Sequence, residues 1–442
     1  MKPVFALRHD AREIFNAALT AADPAKAVSR HLRVDGDVID INGRLYYLRS
    51  YRKVFVVGAG KASAQMCRAV ADLVGDWLYD GIIIVKYGYA VPVKKIAIIE
   101  AGHPIPDENG LIATEQLVDL LRQTTSEDLV INLISGGGSA LLCTPADGVS
   151  FHEKQEITRR LIGCGAPIGE INTIRKHISK VKGGLLAKLA YPSSLFSVIL
   201  SDVVGDSISA IASGPTAPDP STFSDCQVIV DRYKLRTEEF GSIARLIEQG
   251  SAGEIEETPK PGDPIFNNVL NVLIGSNRVA VIAAKERAAS LGYSVKVVDD
   301  LAEGEATELA VAHAAIVKEI YLSAAVRRPA CVISGGEATV TLRGDGLGGR
   351  NQEFALATAL EIDGLDGIVA LIGGTDGTDG TSEAAGGIVD GGTVRRGKTH
   401  GLDARDYLSR NDSYHFLRAT DDLLVTGPTF TNVMDLRLFI IQ

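Results

Sequence analysis

Short unbroken apolar runs alternate along most of this chain with stretches of helical spacing. From Lys53 the order is VFVVG, a helical stretch to about Val74, GIIIVK, KIAIIE, a helical stretch through Leu111–Leu121, and DLVINLIS. Apolar runs without polar alternation are strands buried on both faces, and strands that take turns with helices are the signature of an open, mostly parallel α/β sheet. Three further helical stretches lie between Phe151 and Ala190, and SLFSVILSD returns to a buried strand ending at Asp202. Residues 249–264, QGSAGEIEETPKPGDP, lack periodicity and are rich in glycine, proline and acid, which predicts a hinge.

The alternation restarts with NVLIG, a helix from about Asn277, YSVKVVD, a long helix from Glu305 to Ala324, ACVISGG, ATVTLRG, a helix from Asn351, GIVALIGG and a final DLRLFII. Ahead of the first sheet, Asp10 to about Ala22 has helical spacing, and Val38–Leu48 alternates around Asn42-Gly43 as a hairpin. These read as a preface to it. The pattern predicts two three-layer α/β domains. The first is a Rossmann-like domain with a mostly parallel sheet over residues 1–248; after the 249–264 linker comes a smaller mixed-sheet domain over residues 265–442.

Composition narrows the function classes. A length of 442 residues suits two domains, and the formal charge of −10 is spread without a Lys/Arg block, which excludes nucleic acid and points to a small-molecule partner. Cys67, Cys143, Cys164, Cys226 and Cys331 stand singly, with no zinc or redox spacing, and read as reduced core residues. The opening MKPVFALRHDAREIF meets charge too early for a signal peptide or membrane span, so a cytoplasmic monomer or homodimer is expected.

In open α/β sheets ligands gather beyond the C-terminal ends of the strands. There the chain places Gly58-Ala59-Gly60-Lys61, Ser135-Gly136-Gly137-Gly138-Ser139, Ser201-Asp202, Ser334-Gly335-Gly336-Glu337 and a run from Gly373 to Gly380 that contains Asp376 and Asp379. Glycines let backbone N–H groups face an anion and a following helix start adds partial positive charge, so five such loops predict a polyanionic ligand. Gly58, Gly60 and Ser135 to Ser139 are the phosphate-binding candidates, with Lys61 as a phosphate or carboxylate contact at a helix start. Arg350, entering the helix at Asn351, suits bidentate recognition of carboxylate or phosphate. Asp202 ends an apolar strand as a magnesium anchor would. His103 before a proline, Glu337, Asn351, Asp376 and Asp379 complete the substrate candidates. Arg175, Lys176 and Lys182 in INTIRKHISKVKGG read as a solvated helix face.

Two motifs read differently in context. GAGKAS opens like a dinucleotide fingerprint, but Ser63 holds its third glycine place and GIIIVK ends in Lys86 instead of a ribose-binding acid. Residues 392–399, GTVRRGKT, spell a P-loop, with Lys398 and Thr399 in the lysine and magnesium places. Ile388-Val389 before it reads as too short for a central strand and His400-Gly401 after it as a break, which argues against a nucleotide there.

Taken together, GAGKAS, GHPIPDENG, SGGGSALL, INTIRKHISKVKGG, SDVVGD with IASGPT, SGGEATVTLRGDGLGGRNQEFALA, GGTDGTDG and NDSYHF resemble the class-II glycerate kinases, whose C-terminal part is called the MOFRL domain. The motifs run in the family's order over residues 8–442. The resemblance implies ATP and a divalent cation, normally Mg2+, with D-glycerate phosphorylated to 2-phosphoglycerate in an interdomain cleft. It makes Lys61 and Arg350 the active-site pair. SDVVGDSI lacks an acid common in the family after Asp206, and Glu383 stands where an aspartate is usual. The rival readings are an NAD(P)H-dependent hydroxypyruvate reductase, which the incomplete fingerprint opposes, and a non-catalytic phosphometabolite-binding protein.

Overall fold

A computed structural model describes residues 2–323 and 326–442, in two compact units: Pro24–Ile274, and Met1–Asp23 with Gly275–Gln442. In the first unit a small antiparallel sheet comes first, β1 (Leu32–Asp35), β2 (Val38–Ile41) and β3 (Arg44–Tyr47). Its expected hairpin turns on Asn42 and Gly43, both at positive φ. The main sheet has six strands: β4 (Lys53–Ala59), β5 (Leu78–Lys86), β6 (Ile96–Ala101), β7 (Asp128–Ile134), β8 (Ser194–Leu200) and β9 (Val269–Gly275), in the order β6-β5-β4-β7-β8-β9. From β6 to β8 every pairing is parallel. All seven residues of β7 are buried, as an unbroken apolar run in a sheet covered on both faces requires. Strand order reverses between β4 and β7: successive strands after β4 step to one side through β5 and β6, and the chain then returns to the other side.

The second unit has a mixed sheet of β10 (Ser294–Glu305), β11 (Ala330–Thr339), β12 (Ile368–Gly374), β13 (Gly386–Asp390), β14 (Leu423–Leu424) and β15 (Asp435–Ile441), in the order β10-β11-β15-β12-β13-β14. β10 and β11 are parallel and the other pairs antiparallel. Its apolar core is contributed largely by β11, β12, β15 and the helix Arg350–Glu361.

The expected boundaries differ from this division. NVLIG does not start the second domain; as β9 it is the edge strand of the first sheet, next to β8, so the first unit runs to Ile274. The first helix, Val4–Ala21, is no preface to the first sheet, because Leu7, Ala11, Ile14, Phe15 and Ala18 are buried in the second unit. There Arg8 pairs with Asp390 and Asp422. ATVTLRG is not a separate strand, since β11 runs from ACVISGG directly to Thr339. The long helix spans Ala306–Leu322, and its expected last residue, Ala324, lies outside the described residues. Cys164 is exposed, unlike the other cysteines. Among the described residues no helix is long and apolar enough to cross a membrane.

Candidate functional site

Ligands of doubly wound sheets bind where strand order reverses, and in the first unit that place lies between the C-terminal ends of β4 and β7. Here the two glycine loops interlock. Lys61 N–H donates to Gly136 O at 2.8 Å, Ala62 N–H to Ser135 Oγ at 2.9 Å, and Ser63 Oγ lies 3.1 Å from Ser135 Oγ. Gly60, at φ +144°, has no room for a side chain, because a β-carbon there would sit 2.1 Å from Ser135 Oγ. The close approach of the two loops therefore requires this glycine, and these N–H groups of GAGKAS are spent on the neighbouring loop rather than aimed at an anion.

The same approach brings the predicted residues together. A β-carbon on Gly137, at φ +87°, would lie 3.0 Å from His103 Nε2 and 3.5 Å from Lys61 Cγ. His103, reached through a cis peptide to Pro104, thus joins Lys61 over the SGGGS loop. Asp202, just past the end of β8, lines the same cavity as His103, Gly137 and Ser139.

Behind this loop lie cations that sequence reasoning misplaced or missed. The helix Phe151–Gly163 opens with a capping box of Ser150 and Glu153, and its buried stripe is Lys154, Ile157 and Leu161. A lysine therefore occupies a core position. Lys154 Nζ donates to Thr144 O at 2.9 Å, and burial pushes this amine down to about 7. Lys182 is 1% exposed and donates to Ser139 O at 2.7 Å; burial, then Lys154 and Arg175, holds it well below the usual lysine range. Burial lowers Arg175 as well. The expected solvated helix face is thus incorrect: Lys176 is also buried, paired to Asp219 at 3.0 Å. The signal for Lys154 was present, since the capping box fixes the helix start and the spacing then places residue 154 on the apolar stripe.

In the second unit Asp435 begins β15 opposite Gly336 within β11 and Gly374 at the end of β12. Arg350, at the start of its helix, reaches Asp435 with Nη2 at 3.0 Å from Oδ1 and Nε at 2.8 Å from Oδ2, and also pairs with Glu337. Burial opposes its charge, but Asp435 and Glu337 outweigh that and raise its pKa. Asn351 Nδ2 donates to Asp435 Oδ1 at 3.0 Å. Asp379 accepts from Asn351 N–H at 3.1 Å and Gln352 N–H at 2.8 Å, which caps the helix Arg350–Glu361 in trans. Burial pushes its carboxyl up to about 6, against those N–H bonds. Asp376 accepts from Thr378 N–H within its own turn. Asp435, hidden in what reads only as a strand, is the organising acid that sequence reasoning missed, together with Arg437, which is fully buried and donates to Gly335 O at 3.0 Å.

The P-loop look-alike lacks the geometry of a phosphate loop. Its residues form the helix Thr393–Thr399, with Lys398 in the last turn instead of at a helix start, and Gly392 N–H donates to Asp390 Oδ1 at 2.8 Å. The strand before it exists, contrary to expectation, as β13. Arg396 pairs with Asp390 and Asp422.

Comparison with known proteins agrees with this architecture. Residues 10–248 match DUF4147, described as a domain of unknown function, and residues 330–435 match the MOFRL family. A glycerate 2-kinase of Pyrococcus horikoshii is 41% identical over 98% of both chains, and a human glycerate kinase 35% identical over 99% of this chain and 94% of its own. An Agrobacterium vitis relative, 41% identical over 97% of this chain and 93% of its own, carries a provisional hydroxypyruvate reductase name. The crystal structure of the Thermotoga maritima glycerate kinase superposes with a TM-score of 0.85 at 38% identity, covering 99% of this chain and all of that one. The chain belongs to the class-II glycerate kinase family, a family of phosphotransferases.

Proposed function

We propose that this enzyme transfers the γ-phosphoryl group of ATP to D-glycerate and releases 2-phosphoglycerate, working in the cytoplasm as a monomer or homodimer. The observation that carries the reading is the gathering of Lys61 and His103 over the SGGGS loop at the switch point between β4 and β7. The names of the Pyrococcus horikoshii and Thermotoga maritima relatives, both glycerate 2-kinases, support the product.

Phosphoryl transfer passes through a loose, highly charged transition state, so an enzyme accelerates it chiefly by positioning and charge stabilisation. Lys61 neutralises the transferring group, the SGGGS loop holds phosphate oxygens, and Arg350, aimed by Asp435 and Glu337, binds the glycerate carboxylate. His103 borders the same loop and orients the substrate. A divalent cation, when bound, supplies further neutralisation of the phosphates. Among the described residues no group of three or more His, Cys, Asp and Glu is placed to hold a metal, so the donor set that suits one is Asp202 together with the nucleotide's own oxygens.

The test is incubation with ATP and D-glycerate, with 2-phosphoglycerate read through enolase. Lys61→Ala and Arg350→Ala are each expected to cut turnover by about 10²–10³, Lys61→Ala with the melting temperature kept and Arg350→Ala with it lowered, because the buried Asp435 loses its partner. Near-wild-type turnover removes the pair from the mechanism, and 3-phosphoglycerate as sole product overturns the regiochemistry. Reduction of hydroxypyruvate by NADH or NADPH without phosphoryl transfer would establish the reductase, and binding without turnover the phosphometabolite-binding protein. The geometry opposes the reductase, since β5 ends at Lys86, whose Nζ stands over the Tyr89 ring at 5.6 Å.

A further inference from the structure

Beside the SGGGS loop the first unit contains a cavity of about 530 Å³, between the ends of β7 and β8 and the helices Phe151–Gly163 and Ile168–His177. Its two sides differ in chemistry. One wall is apolar, and three of its residues, Ile105, Ile162 and Ile168, are 64%, 58% and 65% exposed. Branched aliphatics so exposed in the lining of one cavity leave an apolar surface for a ligand to cover.

The rest of the lining carries three cations, with Asp202 as a carboxylate in the same cavity. Lys154 and Lys182 are 6% and 1% exposed, and Arg175 lines the cavity with them. Among the described residues no carboxylate pairs with any of the three; the lysines donate only to Thr144 O and to Ser139. Elsewhere in the unit a buried cation does have an acid, as Lys176 has Asp219 at 3.0 Å. Burying charge without a counter-charge is costly, so a cluster of this kind suits an anion that arrives from outside. Lys182 touches Ser139, which ties these cations to the phosphate loop.

Glycerate, a three-carbon acid, has no apolar face to match that wall and fills little of the cavity. A pocket of this volume with apolar walls and a few convergent polar groups suits a larger ligand. We propose that this cavity is the nucleotide subsite: a nucleoside triphosphate lies with its base against Ile105, Ile162 and Ile168 and its phosphates on Lys154, Arg175 and Lys182, leading to Ser139. The assignment rests on the phosphoryl-transfer reading above. Lys154, pushed down to about 7 by burial, then regains its proton when the phosphates approach.

The test measures ADP affinity by titration calorimetry, and KM for ATP and for D-glycerate, in the wild type, in the Ile162→Ala/Ile168→Ala double variant and in Lys154→Met. The isoleucines are exposed, so their truncation leaves the fold intact. Each variant is expected to weaken ADP and raise KM for ATP about tenfold or more, with KM for glycerate within about twofold. ADP affinity and KM for ATP unchanged in both variants, while glycerate is still phosphorylated, overturns the subsite and leaves the kinase reading standing. A rise confined to KM for glycerate also overturns it, as does a wild-type protein that binds no ADP. A wild type that binds ADP but phosphorylates no glycerate overturns the kinase reading instead, and loss of ADP affinity in the variants would still assign the cavity to nucleotide.

Discussion

Lys154→Met should make the protein more stable, and the size of the gain follows from three features. Burial lowers the Lys154 amine from 10.5 to about 7. Because the folded value lies below the unfolded one, the unfolded chain holds more protons between these pH values, and stability falls as pH drops from 10.5 toward 7 and stays low beneath it. At about 1.4 kcal/mol per pH unit the cost of keeping this lysine buried is on the order of 4 kcal/mol at pH 7. Methionine has similar length and no charge. The hydrogen bond it loses is worth about 1 kcal/mol, and Thr144 O is not orphaned, because Lys180 N–H and Ser179 Oγ still reach it at 3.3 and 3.4 Å.

The expected net gain is about 3 kcal/mol at pH 7, or about 6–12 °C in the transition of the Pro24–Ile274 unit. It should shrink with rising pH and vanish before pH 10.5. Calorimetric melts of wild type and variant at pH 6.5, 8 and 9.5 measure it. A variant that melts below wild type at pH 7, or a difference that does not change with pH, would refute the reasoning and show that Lys154 is charged and well solvated in the fold.

Two other substitutions probe the loops. Gly60→Ala forces a β-carbon to within 2.1 Å of Ser135 Oγ and 2.5 Å of Ser135 O; the interlocked loops must part, and a loss of about 2–4 kcal/mol in denaturant melts is expected, whereas a loss under about 0.5 kcal/mol would show that the approach is not tight. Lys398→Ala, at an exposed position in the last turn of its helix, should leave KM for ATP within about twofold of wild type, and a larger rise would return the P-loop reading to consideration.

The strands were legible wherever burial on both faces left an unbroken apolar run. DLVINLI is one such case, and its seven residues are all buried as β7. What the pattern does not carry is the identity of a strand's neighbour. NVLIG has the same apolar signal whether it begins one sheet or closes another, and the low-periodicity segment before it was a natural place to cut. Only its place beside β8 shows that the polypeptide passes through 249–264 without leaving the first unit. The helix Val4–Ala21 poses the same difficulty: its apolar stripe was visible, and the partner that covers it was not.

Within the site, residues at loop tips were legible because glycine, lysine and arginine there have few structural reasons to be present. Lys61 and His103 are of this kind, while Arg350 stood out as the first residue of a helix after a glycine run. Residues inside regular elements were hidden, because Lys154 lies on a helix stripe and Asp435 at a strand start, where periodicity counts only an interruption. Proximity to an acid also sorts the cations. Lys176 with Asp219 and Arg396 with Asp390 and Asp422 have internal counter-charges, and their removal should weaken the fold.

Lys154 and Lys182 lack such a counter-charge among the described residues, so for them folding and ligand binding make opposite demands. A lysine retained for the fold would lose stability and leave nucleotide affinity alone when replaced by methionine. A lysine that waits for phosphate would gain stability and lose nucleotide affinity. The two readings of Lys154 therefore differ in sign in both assays, and no uniform loosening of the structure can imitate the second.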